Sequence, residues 1–238
     1  MAAQTLDHAL GRVHRDGPVR EGTGGPAGNA RLTAWTGLLL LLMFVAELLT
    51  LIDVRGLITW HLAIGALLIP PVLLKTGATT WRVLGYYRGR PDYVLGGPPP
   101  LPLRLLGPLV VAASVGLLAS GTVLVLIGEQ SSRSVLVTVL GQRVDALTLH
   151  QAFFVVWAVV TGLHLLARFV PALEATVTGP ARSVPVPGRA TRTGALVASL
   201  VVAALVAVLL VRDGGSWQQD RGRRADRPPR AHSASAPR

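Results

Sequence analysis

Apolar residues along the chain fall into five blocks, separated by polar, glycine- and proline-rich stretches. The blocks run from about 32–52, 57–74, 103–127, 147–170 and 195–211. A helix needs ~20 predominantly apolar residues to cross a bilayer, within a range of ~17–25. The first, third and fourth blocks meet this comfortably, and the second and fifth lie near the lower limit. The alternating pattern of barrel strands is not read anywhere, so a β-barrel is not expected. The pattern predicts an all-α, integral-membrane helical bundle over residues 31–212, with a four-helix core and a fifth transmembrane helix.

The flanks read differently. Residues 1–30 are polar and glycine-rich, with no apolar core, so a disordered cytoplasmic tail without a signal peptide is expected. Residues 213–238, "DGGSWQQDRGRRADRPPRAHSASAPR", are expected to form a disordered basic tail. Pro70-Pro71 in the second block predicts a kink, because proline removes a backbone donor and crowds the preceding turn. The stretch after that block, "TGATTWRVLGYYRGRPDYVLGGPPPLP", is too polar and proline-rich to cross a membrane and reads as an interfacial loop.

Composition agrees with a membrane chain. Charged residues make up 15%, against ~25% in soluble domains, and the mean hydropathy is +0.50. The net charge of +11 is no nucleic-acid footprint, because the basic residues sit in loops and tails where membrane topology places them. Arginine far outnumbers the single lysine, Lys75, a bias common in high-GC bacteria. Basic residues crowd the N-terminal tail and the stretches after the second and fourth blocks, whereas the other two loops hold only Arg55, Arg133 and Arg143. The positive-inside rule therefore places the N-terminus in the cytoplasm. A spanning fifth helix would put the arginine-rich C-terminal tail outside, against that rule. There are no cysteines, which excludes disulfides, Cys-ligated iron–sulfur clusters and C-x-x-C-H haem attachment.

Three of the six histidines, His61, His150 and His164, fall within apolar blocks. Polar residues at membrane depth are costly and point to function. On this topology the second and fourth helices run in the same direction. His61 and His150 both lie a few residues from the outer end, at matching depth. Two imidazoles on neighbouring helices can clamp a haem iron from both sides, and the filled coordination sphere suits electron transfer. His150 and His164 are fourteen residues apart, which is ~40° short of four turns and ~21 Å of rise. They share a face, with one imidazole near each side of the core. Gly65, Gly116, Gly121 and Gly162 offer places where a macrocycle can approach a helix, although small residues also simply favour close packing in membranes.

This arrangement resembles the membrane-embedded cytochrome b subunits of bacterial nickel–iron hydrogenases and formate dehydrogenases, over about residues 32–170. The resemblance implies an outer haem b on His61 and His150, and an inner haem on His164 and a histidine of the first helix. It also implies a quinone, a partner oxidoreductase and the bacterial inner membrane. The first block, "RLTAWTGLLLLLMFVAELLTLI", has no histidine and offers Trp35, Thr36 and Gly37 at that depth. Lys75 lies at the depth of His164, where snorkelling to the interface is its simpler role. One haem is therefore expected, and two only with an unusual second ligand. Glu47, near the outer end of the first helix, is expected either to handle a proton at a quinone site or simply to sit in the outer interface. Arg55 and Arg143 are candidates to meet haem carboxylates there, as are Arg82, Arg88 and Arg104 on the inner side.

The rival expectation is a haem-free membrane anchor or small transporter, its histidines used for packing or proton relay. Pro70-Pro71 has no counterpart in a second half, which weighs against a transporter built from repeats. Motifs of the common hydrolases and phosphate loops are absent from the sequence. The chain is expected to carry electrons as a subunit rather than to catalyse.

Overall fold

The computed structural model describes residues 18–95, 101–139, 141–173 and 186–218. Five long helices dominate: α1 (Gly25–Thr50), α2 (Ile58–Tyr87), α3 (Leu101–Ser132), α4 (Ala146–Leu173) and α5 (Arg189–Asp213). All five are long and apolar enough to cross a membrane, and the protein is a multi-pass membrane protein.

Each helix begins or ends where local chemistry dictates. Pro26 stands in the first turn of α1, where its missing N–H costs nothing, behind Gly24 at φ +79°. α2 stops at Arg88 and Gly89, and Gly89 takes the left-handed conformation that ends many helices. Asp145 caps α4: its Oδ1 accepts the backbone N–H of Thr148 at 2.7 Å. That bond holds the Asp145 carboxyl below its ordinary value. The capping stability is therefore complete above the ordinary aspartate pKa and is lost as pH falls through the lower folded one. Asp145→Ala is expected to cost ~1 kcal/mol at neutral pH. It should cost nothing in acid below the folded pKa, as read by unfolding in detergent across pH.

The helices alternate in direction. α2 is the hub and packs along both α1 and α5, while α3 packs along α4. Leu40, Leu68 and Val72 form a core with Met43, Phe44 and Leu118 against it. On α5, Ser199, Ala203 and Ala207 recur every fourth residue and are buried. Their small size lets α5 and α2 approach closely. Large apolar side chains face outward instead, Leu42 at 70% and Leu166 at 83% exposure, as lipid contact requires. Trp60 and Trp81 are both exposed on α2, and their separation of 21 residues corresponds to about 31 Å of helix. That matches the ~30 Å hydrocarbon thickness and sets an aromatic residue at each interface.

Several expectations need correction. Residues 25–30, read as tail, are the first turns of α1, where Asn29 Nδ2 donates to the carbonyl of Ala78 at 2.9 Å. The second helix does not stop at Leu74 but runs on to Tyr87. Its polar extension is stabilised at the interface: Arg90 lies 4.5 Å over the Trp81 ring, and the Tyr93 ring packs against Gly85. Pro70 and Pro71 both lie within this one helix, and Pro71 is buried. The loop between α3 and α4 has structure of its own, which the apolar pattern did not announce. It holds a two-stranded antiparallel hairpin, β1 (Val135–Val139) and β2 (Gln142–Asp145), with Gly141 at φ +79° in the turn. Residues 213–218, assigned to a tail, fold back on the bundle. The Trp217 indole donates to the carbonyl of Leu124 at 3.0 Å, and Gln218 Nε2 to that of Val211 at 3.1 Å. The remaining tail residues, 1–17 and 219–238, lie outside the described residues.

The fifth helix spans. At its start, Arg192 donates to the carbonyls of Pro187, Val186 and Thr23 at 2.7, 3.0 and 3.2 Å, beside the beginning of α1. At its end, Trp217 meets α3 beside the hairpin. These contacts lie on opposite faces of the bundle.

Candidate functional site

His61 stands in the first turn of α2 and His150 in the first turns of α4, both on the hairpin face. The two helices make their main contacts elsewhere, α2 with α1 and α5, and α4 with α3. The space between them is a cavity of about 730 Å³, lined by both histidines. Cofactor and ligand sites typically measure ~300–1,000 Å³. The lining is mostly apolar and includes the rings of Phe44, Phe154, Trp157 and Trp217. Phe44 and Trp157 lie 4.6 Å apart, centroid to centroid.

The hydrogen bonds of both imidazoles run through Nδ1. His61 Nδ1 lies 2.8 Å from Glu47 Oε1 and 3.0 Å from Thr50 Oγ1. His150 Nδ1 lies 2.9 Å from Ser120 Oγ. The hydroxyl hydrogens are already committed: Thr50 donates to the Glu47 carbonyl at 2.6 Å, and Ser120 to the Leu117 carbonyl at 2.9 Å. Both hydroxyl oxygens are thus left as acceptors, and both imidazoles donate from Nδ1. Nε2 then carries the lone pair on each ring, the form that binds a metal. Fixing a ring through its other nitrogen is what metal-ligating histidines do.

The glycines divide. A Cβ at Gly121 would come 3.1 Å from His150 Cε1, so this glycine makes room for the ring. Gly65 lines the cavity beside Glu47. Gly116 instead admits the Phe153 ring of α4, and Gly162 meets nothing nearby and lies away from the cavity lining. Arg55 and Arg133 line the cavity, whereas Arg143 does not. Glu47 is a cavity residue with a side chain 16% exposed, joined to His61.

His164 is not among the cavity residues, and the structure brings together only His61 and His150 of the three. Lys75 donates to the Thr33 carbonyl at 2.8 Å, and its Nζ crosses Gly37. It is thus directed onto α1. Trp35 lies 5.9 Å beneath the Arg192 guanidinium, and Thr36 is fully buried with its hydroxyl on the Leu32 carbonyl. Arg82, Arg88 and Arg104 lie toward the face opposite the histidine pair. Thr50, Ser120, Arg133, Trp157 and Trp217 were not legible as site residues. Membrane hydroxyls and tryptophans are common, and only packing tells which of them face a cavity.

Among the described residues, no three His, Cys, Asp or Glu side chains gather as a metal site. The donor set on offer is two imidazoles across an apolar cavity. Comparison of the chain with known protein families, curated proteins and solved structures finds no match.

Proposed function

We propose that the protein is a b-type cytochrome of the membrane, holding one haem between His61 and His150 and serving as an electron-transfer subunit. The carrying observation is the pair of matched imidazoles. They reach one cavity from two helices, each with Nδ1 spent on a neighbouring oxygen and Nε2 left to ligate. Haem clamped by two imidazoles keeps no open position and moves one electron at a time. The chain's own residues do the rest. Thr50, Glu47 and Ser120 orient the rings. Phe44, Phe154 and Trp157 exclude water from the cavity. Arg55 and Arg133 offer guanidinium groups at the site for the cofactor's carboxylates.

Electron exchange with a quinone pool and with a partner oxidoreductase belongs to this reading, as does residence in a bacterial inner membrane. The measurement that tests it is the haem-to-protein ratio of purified protein, with a reduced-minus-oxidised spectrum. A ratio near one with b-type bands is expected. Protein free of haem after expression with ample haem supply would instead favour a haem-free anchor or transporter.

Orientation is part of the proposal. The face where α1 begins carries most of the basic residues, so it is assigned to the cytoplasm and the histidine pair to the outer side. The chain lacks cysteine, so one introduced thiol reports its own location. Leu136→Cys, on the exposed hairpin, is expected to react with an impermeant maleimide on spheroplasts. Arg20→Cys is expected to react only after lysis. The reverse pattern would invert the topology.

A further inference from the structure

The two halves of the imidazole clamp are chemically unequal. His150 Nδ1 meets a neutral hydroxyl, Ser120 Oγ, at 2.9 Å. His61 Nδ1 meets a carboxylate, Glu47 Oε1, at 2.8 Å, with Thr50 Oγ1 alongside at 3.0 Å. The carboxylate is an expensive choice for that task. A charged acidic residue within a spanning helix carries a large desolvation cost. Glu47 lies nearer the interface, yet its side chain is mostly buried. Its second oxygen, Oε2, is buried with no hydrogen-bond partner among the described residues. The hydroxyl of Thr50 already occupies an acceptor position on the same nitrogen, so geometry alone did not require a carboxylate.

We infer that Glu47 is a positioning residue whose negative charge, delivered through the His61 ring, sets the redox potential of the centre. A carboxylate on Nδ1–H makes the imidazole a stronger electron donor at Nε2. It also places a negative charge near the iron at low dielectric, where charge interactions are strong. Both effects favour the oxidised centre, which carries one more positive charge. Reduction adds one electron and makes or breaks no bond. Ser120, being neutral, orients His150 without this bias. This inference rests on the haem reading above. Haem-free wild-type protein removes that reading, whereas haem-loaded protein with a potential indifferent to Glu47 removes only this one.

The test is a mediator-buffered redox titration of the purified haem protein at one fixed pH, comparing wild type, Glu47→Gln, Glu47→Asp and Ser120→Ala. Glutamine keeps an acceptor oxygen and removes the charge. It is expected to favour the reduced state about tenfold, a rise of ~59 mV for one electron. Ser120→Ala should move the potential far less, and Glu47→Asp should stay closer to wild type than Glu47→Gln does. Loss of haem in Glu47→Gln alone, with Glu47→Asp loaded, also supports the role of the charge. A Glu47→Gln protein that titrates with wild type overturns it. So do equal shifts in Glu47→Gln and Ser120→Ala, or haem loss in both Glu47 variants.

Discussion

Alanine at His61 or at His150 is expected to abolish the b-type spectrum while leaving the protein folded in the membrane. Each substitution would remove one of the two imidazoles proposed to hold the haem. The opposing ring cannot compensate, because its Nδ1 is tied to its own partner, Thr50 and Glu47 for His61 or Ser120 for His150. The rings add little to helix packing, since the core of Leu40, Leu68 and Val72 lies deeper in the bundle. Expression and melting behaviour should therefore stay near wild type while haem content falls to a small fraction. His164→Ala serves as the internal comparison. His164 is not among the residues of the cavity, so this variant is expected to keep the spectrum and the haem-to-protein ratio. A His164→Ala protein with half the haem would reveal a second centre. Full haem retention in His61→Ala or His150→Ala would end the proposed ligand assignment.

The second large effect is expected at Arg192. Arg192 is 5% exposed, and its guanidinium donates to the carbonyls of Val186, Pro187 and Thr23. It clasps the start of α5 to the segment that leads into α1. Hydrogen bonds to charged groups contribute about 1.5–3 kcal/mol each, and they do not simply add. Arg192→Ala removes all three and takes the donor from the carbonyl of buried Val186, so a loss of about 3 kcal/mol is expected. Arg192→Lys, a single ammonium in place of a planar fork, should recover only part of it. Unfolding in mixed micelles measures both. Because the clasp lies on the face opposite the histidines, the haem spectrum of whatever stays folded should be unaltered. An Arg192→Ala protein as stable as wild type would mean that the helix interface of Ser199, Ala203 and Ala207 alone seats α5.

The all-helical membrane architecture was legible because the bilayer forces it. With no water in the hydrocarbon, backbone groups must bond within a segment, and a block of ~20 apolar residues has one good solution. Helix ends were harder. The stretch after Leu74 loses apolarity but not helicity, because Trp81, Arg90 and Tyr93 hold it at the interface. The segment Ser134–Asp145 was passed over because a short hairpin needs only a turn glycine and a few β-branched residues. Trp217 looked like tail because nothing in its neighbours announces the Leu124 carbonyl as its acceptor. Gly128, at φ +77° and ψ +167°, breaks the helical conformation nearby, and the Glu129 N–H there meets Ser216 Oγ at 3.4 Å.

The sequence by itself determined the spanning segments, the depth of His61 against His150 and the shared face of His150 and His164. These follow from apolar periodicity and helical rise, which are local properties. Only the tertiary structure decided that Glu47 turns to His61, that Thr50 and Ser120 meet the Nδ1 atoms of the two rings, and that His164 stands apart from the cavity. It also decided that the fifth helix crosses. Each of these depends on which helix faces which, and that choice is made by long-range packing of small and apolar faces.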